Sequence, residues 1–305
     1  MKFAFMRDHQ AEFEIKIMCR VLAVSQAGYY TWLRRQQPGR LPCPRETANQ
    51  QLSEQIRTVF RQSRGTYGSP RIHAELRAGG VVCSRNRVAR LMKRAGIAAK
   101  RRRTYKPTTT DSKHSYPVAP NLLNRDFSAQ SPDEKWLCDI TYIATREGWL
   151  YMATVLDVYS RRVVGWAMDK HMDAELVERA LQMAASHRRP DAGVLHHSDR
   201  GSQYAAHDYQ KLLGAHKMVC SMSRKGDCYD NAMMESFFST LKSECAGQVF
   251  GSRSEARLSI FEYIEVWYNR QRRHSALGYQ SPEAFEQTHQ AQANIRLFSD
   301  STKSG

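Results

Sequence analysis

No stretch of this chain approaches the roughly 18 consecutive apolar residues that a helical membrane crossing needs. Arg7-Asp8 interrupts the opening apolar residues almost at once, so neither a membrane span nor a secretory leader is expected. A C-x-x-C pair is also missing. The seven cysteines (Cys19, Cys43, Cys83, Cys138, Cys220, Cys228 and Cys245) are odd in number and scattered, and Cys220 and Cys228, the closest two, lack zinc-knuckle spacing. That argues against a disulfide framework and a zinc site, and for reduced thiols in a cytosolic protein. His196 and His197 are adjacent, so on a strand they point to opposite faces and cannot share one ion. There is no G-x-x-x-x-G-K-[ST] loop for nucleotide-driven chemistry and no G-x-S-x-G for a serine hydrolase. No repeat is visible.

Positive charge is abundant, and it is lopsided. Residues 1–125 carry 25 Lys/Arg against 7 Asp/Glu, or +18, whereas residues 126–305 carry 21 against 23, or −2. Solubility needs no such asymmetry. A front half that grips nucleic acid, joined to a back half with another task, accounts for it.

The pattern divides the basic half into three. Residues 1–38 hold a small helical, helix-turn-helix-like unit, with Ile17, Val21, Leu22 and Val24 at helical spacing and Ser25 as N-cap of a second helix bearing Tyr29, Tyr30, Trp32 and Leu33. Residues 46–97 read as three helices. The first runs from about Glu46 to Arg61, the second starts at Ser69-Pro70 and stops at Gly79-Gly80, and Ser84 caps the third. That third helix buries Val88, Leu91 and Met92 and shows Arg85, Asn86, Arg87, Arg90, Lys93 and Arg94. An arginine-rich third helix is the helix-turn-helix layout for entering the DNA major groove. A small bundle with a solvated basic face is the alternative. Residues 98–127 form a basic linker in which Lys100, Arg101, Arg102 and Arg103 can track phosphates.

From Lys135 the apolar period changes to two. Strands are expected over Lys135–Thr145, Trp149–Val158 and Arg161–Met168, then a helix over Asp173–His187 and a strand over Gly193–His197. A helix over Ser202–Leu213, a short strand over Met218–Met222, and helices over Tyr229–Cys245 and Ser254–Asn269 complete the order. The succession βββαβαβα is that of an α/β ribonuclease-H-like fold, a five-stranded mixed sheet with helices, over residues 128–247. A C-terminal helix and a loose polar tail fill residues 248–305.

Three acids stand in this half. Asp139 lies mid-strand on the face of Leu137, Thr141 and Ile143, where an aspartate is costly unless paired or metal-bound. Asp199 ends the apolar run of the fourth strand. Glu235 shares a helical stripe with Asn231, Ser239 and Lys242, beside an apolar face of Met234, Phe237, Phe238, Leu241 and Cys245. Carboxylates converging from separate rigid elements can hold magnesium, which takes hard oxygen donors. Two such ions about 3.5–4 Å apart neutralise both ends of an in-line phosphoryl displacement. Each acid has an ordinary alternative: an arginine partner for Asp139, a turn or cap for Asp199, a solvated face for Glu235. Of the rival acids, Asp157 reads as the cap of the turn at Tyr159-Ser160 and Asp230 as the cap of its helix.

The motifs in their order carry a resemblance. Tyr67-Gly68-Ser69-Pro70-Arg71-Ile72, Trp136-Leu137-Cys138-Asp139-Ile140-Thr141-Tyr142, Val163-Val164-Gly165-Trp166, His197-Ser198-Asp199-Arg200-Gly201-Ser202-Gln203-Tyr204, Asp230-Asn231-Ala232 through Glu235-Ser236-Phe237-Phe238, and Tyr268-Asn269 with Arg273-His274-Ser275 span nearly the whole chain. The chain resembles the retroviral-integrase-like (DDE) insertion-sequence transposases, specifically the OrfB catalytic protein of the insertion sequence three family. The resemblance implies that Asp139, Asp199 and Glu235 are a catalytic, metal-binding triad for Mg²⁺, with Mn²⁺ as substitute, and that Lys242 is a DNA contact. It implies nicking of the ends of an insertion element and joining of the freed 3′ hydroxyl to other DNA. The expected partners are double-stranded DNA (element ends and target), further copies of the chain on that DNA, and the first-frame OrfA product; residues 1–35 hold no long heptad run of their own. The expected location is the bacterial cytoplasm, at the nucleoid. Two rival readings remain: a non-catalytic helix-turn-helix regulator, and a ribonuclease-H-like nuclease that cleaves without joining.

Overall fold

A computed structural model describes residues 1–37, 41–99, 115–224 and 228–301. Lys100, Arg101, Arg102 and Arg103 lie outside the described residues. The chain divides into two compact units, Met1–Arg57 and Thr58–Gly305, and the division falls inside helix α4 (Pro44–Gln62).

The first unit opens with α1 (Lys2–Asp8), which the sequence reading did not expect, followed by α2 (Ile15–Val21) and α3 (Gln26–Arg35). Ser25 caps α3 by accepting the Gly28 N–H at 3.1 Å. Met6 from α1 joins Met18, Cys19 and Tyr29 in a small buried cluster. Alone, α1 is too short, at seven residues, for a helical period to show.

In the second unit, α5 (Ser69–Ala78) and α6 (Arg85–Arg94) pack together. Gly68, not Ser69, is the N-cap of α5, which moves Pro70 to the helix's second position, still within the turn where a missing N–H costs nothing. Ser84 Oγ caps α6 through the Arg87 N–H at 3.2 Å, and Val88, Leu91 and Met92 are buried as the pattern demanded.

The sheet comprises β1 (Lys135–Thr145), β2 (Gly148–Asp157), β3 (Val163–Asp169), β4 (Leu195–Ser198) and β5 (Val219–Met222) in the order β3-β2-β1-β4-β5. The first three strands form an antiparallel meander, and β1–β4 and β4–β5 pair in parallel. Trp136 and Cys138 face one side, in a core shared with α7 (Ala174–Arg188), α8 (Ser202–Ala205) and α9 (His207–Ala215). Alternation sends Leu137, Asp139, Thr141 and Ile143 to the other side, where α10 (Ala232–Glu244) meets β1.

Several expected helices take another form. The single helix over 202–213 is two, split at Ala206, whose extended backbone (φ −59°, ψ 142°) ends one and starts the next. The segment before α10 is a 3-10 turn, Cys228–Asn231. The next helix, α11 (Arg253–Phe261), widens into a π-helical segment, Glu262–Tyr268. The tail expected to be loose is helical as α12 (Pro282–Ser301). Its first turns are tied down because Glu286 binds Arg162 and Arg188, each at 2.9 Å.

Candidate active site

The parallel pairing of β1 with β4 brings the first two acids together. Lys135 is opposite Leu195, Trp136 opposite His196 and Leu137 opposite His197. Carried two residues further, that register sets Asp139 beside Asp199, just past the end of β4. Adjacent strands lie about 4.8 Å apart, so two carboxylates leaving the same edge repel. Asp139 accordingly has its carboxyl pushed well above the usual range, first by burial, then by Asp199 and then by Glu235. The Ile140 N–H, 2.7 Å from Asp139 Oδ1, and the ammonium of Lys242 act in the opposite direction.

The third acid arrives on α10. Met233, Met234, Phe237, Phe238 and Leu241 bury one face of this helix, and Glu235 is on its exposed side. Its carboxyl is raised by the protein around it. Seven residues on, Lys242 lies with Nζ 4.4 Å from the Tyr142 ring centre, a cation–π distance. Burial pulls its pKa down, and Asp139 opposes that pull. Glu235, Ser239 and Lys242 of the predicted stripe are on α10, whereas Asn231 is buried and lies before the helix in the 3-10 turn; Met233 joins the buried face.

Asp199 also serves the ordinary role foreseen for it. Its Oδ1 accepts the Gly201 N–H at 2.9 Å, closing the turn into α8. Of the rival acids, Asp157 caps as expected: Oδ1 accepts the Ser160 N–H and hydroxyl, both at 2.8 Å, and Oδ2 the Asp133 N–H at 2.8 Å. Burial pushes it up to about 6. Asp230 does not cap α10. The cap position belongs to Asn231, and Asp230 instead binds Arg125, Arg224 and Asn121.

Two further groups complete the surroundings: Thr154, which the sequence pattern does not single out, and Asn231, expected on the Glu235 stripe. Thr154 stands opposite Asp139 in the β1–β2 register, and its buried hydroxyl has no hydrogen-bond partner. Asn231 donates Nδ2 to the Cys138 carbonyl at 3.4 Å while its buried Oδ1 is likewise unpartnered. The meander alone could have exposed Thr154, since it fixes what lies across from each residue of β1. Below the acids, His196 Nε2 sits 2.9 Å from Cys138 Sγ and 2.8 Å from Tyr209 Oη. Burial first, and His197 second, push His196 down to about 3, so it is a neutral core histidine.

Among the described residues, no three His, Cys, Asp or Glu side chains are close enough to enclose one ion together. The donors nevertheless fit a hard divalent cation: three carboxylates, one of them raised by the charges of the other two, with orphaned buried oxygens alongside. Of the other DNA-binding candidates, four lie on α6. Arg85, Asn86 and Arg90 are exposed on α6, and Arg87 is half-buried there. No described helix is long and apolar enough to cross a membrane.

Comparison with known proteins now decides the family. The family profile described as "Integrase core domain" matches residues 129–228, a second of that description matches 216–282, and "HTH-like domain" matches 47–105. The Transposase InsF for insertion sequence IS3A from Escherichia coli (strain K12) is 47% identical over 287 residues, covering 94% of this chain and 98% of that protein. The chain belongs to the IS3-family transposases. An insertion element IS600 uncharacterized 31 kDa protein from Shigella sonnei is also 47% identical, over 278 residues, covering 90% of this chain and 100% of that one. Among solved structures, the HTLV-2 integrase catalytic core domain in complex with magnesium (trimeric form) aligns at 11% identity and TM-score 0.39, over 52% of this chain and 99% of that one. The catalytic core domain of BIV integrase aligns at 17% identity and TM-score 0.37, over 57% and 99%. This IS3-family chain is a DNA transposase, hence a polynucleotidyl transferase with an integrase-type core and a helix-turn-helix-like region. Neither a non-catalytic regulator nor a nuclease that cleaves without joining is favoured.

Proposed function

We propose that Asp139, Asp199 and Glu235 form the acidic triad of a magnesium-dependent strand-transfer site, with manganese as substitute. The observation that supports this most is the β1–β4 register, which carries Asp139 beside Asp199, with the charge of Glu235 and that of Lys242, both on α10, felt at Asp139. When bound, the divalent cation would neutralise phosphoryl oxygens and activate the attacking oxygen. The chain's own residues do the rest. β1, the turn after β4 and α10 fix the three carboxylates, and Lys242 holds DNA near the scissile phosphate. Water attacks in the nicking step and a 3′ hydroxyl in the joining step, without a covalent enzyme intermediate.

In this reading residues 1–38 are a small helical unit, 46–97 the helix-turn-helix domain, 98–127 the basic linker, 128–247 the catalytic core and 248–305 the C-terminal helical part. α6 enters the major groove of the element ends with Arg85, Asn86, Arg87 and Arg90, and Lys100, Arg101, Arg102 and Arg103 track phosphates. The chain works as a homo-oligomer on DNA, with the OrfA product as partner, in the bacterial cytoplasm at the nucleoid. Incubation with Mg²⁺ and labelled element-end DNA tests this reading. Nicked and then joined product should appear and vanish with EDTA; binding without nicking, or nicking without joining, contradicts it.

A further inference from the structure

We infer that Arg71, Arg161 and Arg272, gathered around His274, form a binding pocket for a DNA backbone phosphate, distinct from the acidic site. This rests on the reading of the chain as a DNA-joining enzyme. Arg71 lies on α5 and donates Nε to the carbonyl of Arg273, the residue between Arg272 and His274 in the chain, at 2.9 Å. Arg272 places Nη1 3.4 Å from His274 Nε2. The rings of Tyr268 and His274 meet edge-on at 4.8 Å, with the Arg272 guanidinium 5.8 Å from the Tyr268 ring centre.

Arg161 comes from the turn between β2 and β3. Asn269 pairs twice with Val163, through N–H to Oδ1 at 3.0 Å and Nδ2 to the carbonyl at 2.9 Å, so this turn is held against the end of the π-helical segment. Arg161 has φ +60°, a conformation that glycine or asparagine adopts at less cost. An arginine there points to a use for its side chain. Both Tyr268 and His274 feel its charge.

Charge decides what the pocket takes. Glu244 is occupied by Arg272 at both oxygens, at 2.7 and 2.8 Å, and also accepts from Tyr263 Oη at 3.0 Å. Among the described residues neither Arg71 nor Arg161 has an ion pair with a carboxylate. Both are half-buried, and burial lowers the pKa of each. His274 is kept neutral by burial and by Arg272, Arg71 and Arg161 in turn, so it can donate a hydrogen bond without adding charge. Two guanidinium groups with no carboxylate partner among the described residues, partly stripped of water, match a phosphodiester, which accepts paired N–H donors.

The test is fluorescence anisotropy with a labelled random-sequence duplex and the element-end duplex, without metal, across a salt series. Arg161→Gln should reduce the slope of log K against log [salt] by about 0.9, the value of one phosphate contact, equally on both duplexes. Arg161→Lys, which keeps the charge, should restore most of the slope. Unchanged slope and affinity in Arg161→Gln, or a loss confined to the element-end duplex, would overturn the pocket. The triad is tested separately: if Asp139→Asn still joins DNA while Arg161→Gln lowers the slope, the pocket stands and the triad falls.

Discussion

Arg224 donates to Asp230 three times, from its backbone N–H at 2.8 Å, Nε at 3.0 Å and Nη2 at 2.8 Å. Asp230 is fully buried and also accepts from Asn121 at 2.8 Å and Arg125 at 3.2 Å. One carboxylate thereby ties the chain before β1 and the chain after β5 to the start of α10, the helix that carries Glu235.

Replacing that carboxylate should loosen α10. The Arg224 side chain holds Asp230 well below the usual carboxylate range, so its contribution is present at neutral pH and is lost only as pH falls below about 4. Breaking a buried pair costs about 3–5 kcal/mol, and the two arginines are 47% exposed, which lowers the expected loss to about 2–3 kcal/mol. Urea denaturation of Asp230→Ala at neutral pH should show that loss. Stability within about 0.5 kcal/mol of the parent would contradict the clamp.

Gly165 makes a second, independent prediction. A Cβ built there would fall 2.7 Å from Ala184 Cβ and closer still to the Ala180 carbonyl of α7. Gly165→Ala must push α7 off β3, at an overpacking cost of about 1–3 kcal/mol. A lowered melting temperature is expected. An unchanged one would mean that α7 is not seated as described.

His196 predicts an acid-side slope. Its folded value of about 3 lies below the unfolded value, so the stability it contributes is complete above about pH 6.5 and declines as pH falls, by about 1.4 kcal/mol per pH unit. Asp157, raised to about 6 by burial, works in the opposite direction over part of this range. The comparison of parent with His196→Gln isolates the histidine. The variant should show a flatter dependence between about pH 6 and pH 4.5; parallel curves would rule out the neutral buried imidazole.

Much of this was legible beforehand. The period-two run matches the ends of β1, because buried Thr141, Ile143 and Thr145 alternate with half-buried Tyr142 and Ala144. The helical angles around Glu235 separated its polar stripe from Met234, Phe237, Phe238 and Leu241 correctly. Other features depend on partners distant in sequence. Asp230 carries the mark of a helix cap, and only the folded chain brings Arg125 to it. α12 looked like a loose tail because the anchors of Glu286 are Arg162 and Arg188, more than ninety residues away. Thr154 becomes a neighbour of Asp139 only through the pairing of β1 with β2, which a residue-by-residue pattern does not display.

The most direct measurement of the central claim is strand transfer by single triad variants, with DNA binding measured on the same preparations. Asp139→Asn, Asp199→Asn and Glu235→Gln should each lose joining of a 3′ hydroxyl end by at least about a thousandfold, on the scale of lost electrostatic catalysis. Metal-free duplex affinity should stay within about threefold of the parent, since none of the three carries a phosphate-contacting cation. Asp139→Asn should also melt no lower than the parent without metal, because it removes a carboxylate crowded by Asp199 and Glu235. Substantial joining by any one of the three variants would contradict the account.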